Sequence, residues 1–183
     1  MEFIHTAIAG LYIISPVKTT DGRGFFARTY CKTEFEGIGS DKPFVQFNHS
    51  FNEVKGTIRG LHFQNPPFAE TKLIRCVQGA VYDVAVDLRK DSLTFGKWYA
   101  TELSEENMKS ILIPEGFAHG FQTLRDRSAL IYHHTEFYTP GADSGIRFDD
   151  PAFNIEWTLP VTRISDKDKN YALLEKNFKG LSI

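Results

Sequence analysis

The chain has 183 residues, 42% apolar, 24% charged and 14% aromatic, with a formal net charge of −2. Those proportions fit one globular domain with a substantial core, and the charge argues against the broad basic face of a nucleic-acid binder. No apolar run approaches the length of a membrane-spanning helix.

The N-terminus, MEFIHTAIAGLYIISP, carries an early Glu and His and no basic flank, so it is a poor signal peptide. Cys31 and Cys76 are the only cysteines. Without a secretory signal they read as reduced thiols of a cytoplasmic protein, and they are too few and too far apart for a zinc ribbon. Breakers recur throughout: Gly22 and Gly24, Gly37 and Gly39, Pro66 and Pro67, Pro114 and Gly116, Pro140 and Gly141, Pro151, Pro160. Between them lie short runs rich in Val, Ile, Phe, Tyr and Thr, the pattern of an antiparallel sandwich or barrel. Candidate strands are Phe44 to Ser50, Thr57 to Phe63, Lys72 to Val77, Ala80 to Leu88, Lys97 to Leu103, Ser110 to Ile113 and Ser128 to Tyr138. In the clearest, Ala80, Tyr82, Val84, Val86 and Leu88 share one face and Val81, Asp83, Ala85, Asp87 and Arg89 the other. Ser104-Glu-Glu-Asn suits a single helical turn, and Tyr171, Leu174 and Phe178 are spaced for a short helix over Asp168 to Phe178. The expected class is mostly β: an antiparallel jelly-roll barrel with a short C-terminal helix, in which inward polar side chains mark a ligand pocket.

Several polar residues stand out against that frame. His62 sits in Arg59-Gly-Leu-His-Phe-Gln64, where a strand histidine is commonly a packed core residue. Strict alternation puts Arg59 and His62 on opposite faces, unless Gly60 marks a bulge that re-aims one of them. Lys72 shares a face with Ile74 and Cys76, so it either snorkels from a strand end or points into a polar cavity. Tyr132, His134, Glu136 and Tyr138 share one parity, which fits a solvated face as well as a cavity wall. His119 reads as part of a glycine-flanked loop between strands. A metal-binding barrel needs two close histidines, a carboxylate and a distant histidine. Gln64 stands two after His62, so Glu70 and His119 complete only a poor set; His133 and His134 point to opposite strand faces. A metal site is not expected.

Read together, the segments Asp21-Gly-Arg-Gly-Phe25, Gln46-Phe-Asn48, Arg59-Gly-Leu-His-Phe-Gln64, Lys72-Leu, the run from Gly79 to Arg89, Pro114-Glu-Gly-Phe-Ala-His-Gly-Phe121, Tyr132 with Tyr138-Thr-Pro140, and Ser165-Asp-Lys-Asp168 are far more specific than any one alone. In that order the chain resembles the dTDP-4-dehydrorhamnose 3,5-epimerase family over most of its length. The resemblance implies a cupin-type jelly roll, a homodimer with an exchanged N-terminal strand, and a barrel site that needs neither metal nor cofactor. It implies a nucleotide-linked 4-keto-6-deoxy sugar as substrate, with no nucleic-acid or membrane partner.

Epimerisation beside a ketone needs a base for the α proton, a donor for the enolate oxygen and an acid on the opposite face. By resemblance, His62 is the base, Asp168 its carboxylate partner, Tyr132 the acid and Lys72 the cation near the keto oxygen. Asp83 remains an alternative partner for His62. Arg23 and Arg59 match the family's substrate arginines, suited to a diphosphate. Gln46, Asn48, His119 and Lys167 match other binding positions, and Tyr138 the aromatic residue that stacks on the base. If the family's cross-dimer contacts hold, Arg23 serves the partner's site.

The chain departs from the pattern at Arg28, where the family usually has a glutamate near the nucleotide end, at His133 for a common lysine, and at Asp143 for a frequent glutamate. The reversal at Arg28 opens the identity of the base, so CDP- or GDP-linked sugars and single-site epimerisation at C3 or C5 stay in view. A non-catalytic sugar-nucleotide module and a metal-dependent oxygenase are the remaining readings.

Overall fold

Short β-branched and aromatic runs punctuated by Gly and Pro become strands wherever a neighbour completes their hydrogen bonding. A computed structural model of the chain describes residues 1–175 and 177–183. In order the elements are β1 (Glu2–His5), β2 (Tyr12–Ser15), β3 (Lys18–Asp21), β4 (Gly24–Ala27), α1 (Lys32–Glu36), β5 (Gln46–Asn52), β6 (Ile58–Gln64), β7 (Lys72–Gln78), β8 (Ala80–Asp87), β9 (Trp98–Ser104), β10 (Ser110–Ile113), β11 (Phe117–Thr123), β12 (Ser128–His134), β13 (Asp143–Gly145) and α2 (Asp166–Lys169). Two antiparallel sheets carry the fold, one in the order β1-β2-β10-β7-β12-β5 and the other β13-β6-β11-β8-β9. β3 and β4 form a separate hairpin. No described helix is long and apolar enough to cross a membrane.

The alternation in β8 explains how the layers join. Val81 and Ala85 enter the core between the sheets, against Ile74, Cys76, Ile111 and Leu130. Val84, Val86 and Leu88 face the other way, into a second core with Leu61, Ala118, Ile146, Phe153 and Leu181. The C-terminal segment covers that face through Trp157, Leu174 and Phe178. On the first sheet, α1 inserts the fully buried Phe35 beside Ile14, Leu73 and Leu112. Each large apolar side chain so buried contributes roughly 1.5–3 kcal/mol. The mostly antiparallel jelly roll is the expected class.

Three local expectations need correction. β12 ends at His134, not Tyr138, because its neighbours β5 and β7 begin at Gln46 and Lys72, the residues paired with His134. Beyond that point the pairing ends after one more bond, Thr135 N–H to Thr71 O at 3.1 Å, and Tyr138 lies in irregular chain. His119 is in the buried strand β11 rather than a loop. Its flanking glycine is a packing device: a Cβ on Gly120 would lie 2.7 Å from Arg59 O. The C-terminal helix is only Asp166–Lys169, capped by Ser165 Oγ on the Asp168 N–H and ended at Asn170. Leu174 and Phe178 reach the core from irregular chain, tethered by Leu174 N–H to Asp150 Oδ2 at 2.6 Å; residue 176 of the expected helix lies outside the described residues. The N-terminal strands and α1 lacked a clear pattern in sequence.

Candidate active site

The cavity opens where β5, β7 and β12 of one sheet face β6 and β11 of the other, and has a volume of about 310 Å³. Its geometry depends on Gly60. The register of β6 against β11 runs from His62 opposite His119 to Arg59 opposite Phe121, so β6 carries one extra residue. Gly60 has φ +115°, and a Cβ there would sit 2.6 Å from Gly120 Cα and 2.7 Å from His119 O. The bulge turns Arg59 and His62, which alternation alone would separate, into the same cavity.

Asp168 sits behind His62. His62 Nε2 lies 2.7 Å from Asp168 Oδ1, while Oδ2 accepts the Gly60 N–H at 3.1 Å. The carboxylate therefore grips both the imidazole and the bulge that aims it. Burial pushes the Asp168 carboxyl up, but the hydrogen bonds and charge of His62, with the Gly60 and Ser165 donors, hold it below the ordinary range. With Nε2–H donated to this carboxylate, the Nδ1 lone pair is the one left to take a proton. Asp83 is engaged elsewhere: both its oxygens lie 3.0 Å from His119 Nε2. Burial drives that pair toward its uncharged forms, the Asp83 carboxyl up and the His119 imidazole down.

Tyr132 comes from the opposite sheet. Its hydroxyl is 3.1 Å from Ser50 Oγ, and burial pushes the phenol well above its ordinary value. Lys72 is only 6% exposed, so it points inward and does not snorkel. Its Nζ donates to His62 O at 3.1 Å and lies 3.2 Å from Glu70 Oε1. Asn48, Arg59, His119, Tyr138 and Lys167 also line the cavity. Arg59 Nε donates to Asn52 Oδ1 at 2.7 Å; Lys167 Nζ pairs with Asp143 Oδ2 at 2.6 Å, and the Tyr138 hydroxyl donates to Asp143 Oδ1 at 3.2 Å. Gln46 stands just behind, accepting the Tyr138 N–H at 3.0 Å.

Besides Gln46, two expected binding residues do not line this cavity, and both lie well away from it. Arg23 lies at the tip of the β3–β4 hairpin, with its side chain 91% exposed and paired to Asp21. Arg28 follows β4 and pairs with Glu34 at 3.0 Å. In return the fold contributes Ser50, Glu70, His134 and Tyr171 to the wall. Ser50 shares strand parity with Gln46 and Asn48, a signal that could have found it. Glu70 lies in loop before β7 and carried no periodic signal. Tyr171, whose spacing fits a helix core, instead meets the His62 ring edge-on at 6.1 Å. His133 and His134 do diverge, their Nδ1 atoms meeting Leu73 O and Glu70 Oε2 respectively. Among the described residues no group of three or more His, Cys, Asp or Glu is placed to hold a metal ion.

A cupin-like jelly roll enclosing a polar site between its sheets is thus the class that fold and cavity define. The family model for dTDP-4-dehydrorhamnose 3,5-epimerase matches residues 5–176. The dTDP-4-dehydrorhamnose 3,5-epimerase of Shigella flexneri is 46% identical, over 93% of this chain and 94% of its own. The crystal structure of the enzyme of that name from Elizabethkingia anophelis superposes with a TM-score of 0.93 at 38% identity, covering 97% of this chain and 98% of that one. That from Bacillus anthracis, with TDP and PPi bound, gives 0.90 at 44% identity, covering 94% of this chain and 99% of that one. The chain belongs to the dTDP-4-dehydrorhamnose 3,5-epimerase family.

Proposed function

We propose that this protein is an isomerase that inverts C3 and C5 of dTDP-4-keto-6-deoxyglucose, a step toward dTDP-L-rhamnose. The observation that carries the reading is the placement of the His62–Asp168 pair and Tyr132 on opposite walls of one cavity, with the Lys72 ammonium near its base. His62 takes the proton α to the C4 ketone through Nδ1, and Asp168 steadies the imidazolium that results. The electron pair moves onto the keto oxygen, where Lys72 stabilises the enolate; one such donor is worth about 3 kcal/mol at the transition state. Tyr132 then delivers a proton to the opposite face of the same carbon. Solvent returns His62 and Tyr132 to their starting states, and the cycle repeats at the second carbon.

Arg59 and Lys167 bind the diphosphate, Gln46, Asn48 and His119 orient the sugar and nucleotide, and Tyr138 stacks on the base. The chain acts as one catalytic domain and works as a homodimer with an exchanged N-terminal strand. In support, the β3–β4 hairpin leaves Phe25 and Phe26 56% and 76% exposed, an apolar surface that a partner would cover. In that arrangement Arg23 and Arg28 serve the partner's nucleotide. The free thiols Cys31 and Cys76 suit the cytoplasm.

The test is incubation with dTDP-4-keto-6-deoxyglucose in deuterated buffer, followed by proton NMR. Loss of the H3 and H5 signals, absent in His62→Ala, is expected. Loss of only one would make the protein a single-site epimerase. Exchange only with a CDP- or GDP-linked ketosugar would reassign the base at Arg28, and binding without exchange would leave a sugar-nucleotide module.

A further inference from the structure

A line of hydrogen bonds runs down one wall of the cavity, and its direction is set by a group that cannot turn around. The backbone N–H of Tyr138 donates to Gln46 Oε1 at 3.0 Å. That places Gln46 Nε2 toward Asn48 Oδ1, 3.4 Å away. The Asn48 amide nitrogen is left facing His134 Nε2 at 3.3 Å, so this ring nitrogen must be the acceptor. His134 therefore carries its proton on Nδ1 and donates it to Glu70 Oε2 at 2.8 Å. From the other side Lys72 Nζ reaches Glu70 Oε1 at 3.2 Å and donates to His62 O at 3.1 Å. From Tyr138 to His134 every donor points toward Glu70, and Lys72 reaches it from the other side. Its carboxylate closes a chain that joins the candidate base-stacking residue to the strand carrying the candidate base.

We propose that Glu70 and His134 are positioning residues of this cavity, Glu70 holding the Lys72 ammonium in place and His134 fixing which way the Asn48 amide faces. The inference rests on the epimerase reading for what Lys72 and Asn48 do, but not for how they are held. Neither new residue touches the reacting carbons; each acts through a neighbour. Lys72, Glu70 and His134 are all buried or nearly so, where a loosened charge or mismatched amide is costly. Burial pushes the Glu70 carboxyl up, yet His134 and Lys72 together hold it below its ordinary value, as an acceptor of both donors requires.

The groups around His134 fix its tautomer. The titratable and charged groups facing His134 are Glu70 before β7, Lys72 on β7 and Tyr132 beside it on β12, its ring stacked at 6.2 Å; His133 turns to the other face of β12. β5 contributes only the amides of Gln46 and Asn48. A second proton on His134 would sit on Nε2 and oppose the Asn48 N–H donors. Asn48 would have to flip, Gln46 with it, and the Tyr138 N–H would lose its acceptor.

Two measurements test this. Nitrogen-15 NMR of the imidazoles in the free protein should show His134 as the neutral Nδ1–H tautomer, altered in Glu70→Gln. An Nε2–H tautomer would overturn the proposal without reference to activity. Exchange kinetics then separate the two roles through KM and kcat. His134→Asn keeps a donor to Glu70 but is too short to offer Asn48 an acceptor where Nε2 stands. It should raise KM about tenfold and leave kcat within about threefold. Glu70→Gln should lower kcat about tenfold or more with KM within about threefold, because the buried ammonium loses the carboxylate that holds it. Variants whose kcat and KM both match the unmodified enzyme within about twofold would refute the positioning roles. Failure of the unmodified protein to exchange H3 or H5 would instead refute the epimerase reading, and the tautomer would then decide this one alone.

Discussion

Asp168 Oδ1 lies 2.7 Å from His62 Nε2 although 106 residues separate the two in sequence. The same carboxylate holds the Gly60 N–H through its other oxygen. One buried side chain thus determines both the tautomer of the candidate base and the bulge that presents it. Replacing Asp168 by Asn keeps the shape but removes the charge that steadies an imidazolium. Exchange at C3 and C5 should fall by roughly 10²–10⁴-fold, with KM little changed. Near-normal kcat in this variant would remove Asp168 from the mechanism.

The Tyr132 phenol is buried against Ser50 and held well above its ordinary value, so it stays protonated throughout the working range. A raised acid pKa puts any loss of the proton donor at still higher pH, so no basic limb below about pH 10 should come from this residue. Tyr132→Phe leaves the base intact and removes the acid. Inverted product should drop about 10²–10⁴-fold, while deuterium still enters without inversion through His62 on its own face. Equal loss of exchange and inversion would mean that Tyr132 does something other than donate the second proton.

Asp87 predicts how the fold responds to acid. Its oxygens accept from Arg89 Nε at 2.9 Å and Nη2 at 2.8 Å, from Ser92 Oγ at 2.6 Å and from Thr94 Oγ1 at 2.7 Å. Burial opposes the charge, but these donors outweigh it and bring the carboxyl down to about 2. A depressed folded value stabilises the protein above the ordinary Asp range, and that stability is lost as pH falls toward about 2. The shift corresponds to about 2 kcal/mol at neutral pH. Asp87→Asn should lower stability by about that amount and flatten the acid denaturation curve between pH 4 and 2. An unchanged curve would show that the donors do not depend on the charge.

Gly60→Ala should be among the most damaging small substitutions. The positive φ and the close approach of Gly120 and His119 leave no room for a methyl group. A cost of roughly 2 kcal/mol or more is expected from strain at such a position. Because the bulge aims His62, exchange should fall even in protein that remains folded. A variant with normal melting and normal activity would mean that the strand can re-register without moving the site.

The sequence by itself determined the mostly β class and the two faces of β8, because strand alternation is a local property that survives any packing. It also determined the family, through motifs whose joint order is improbable by chance. Tertiary structure alone decided between Asp168 and Asp83 as the partner of His62, since the choice depends on how α2 docks against the β6 bulge. It decided that Lys72 points inward, and it placed His119 in a strand, because Gly120, which reads as a loop signal, is a point of close backbone approach. It kept Arg23 and Arg28 outside their own chain's cavity, on and just after a hairpin detached from both sheets. It exposed the Glu70–His134 pair, whose members lie 64 residues apart. Hydrogen-bond partners across a barrel come from the closure of its two sheets, and no periodicity along one strand records which residues that closure brings face to face.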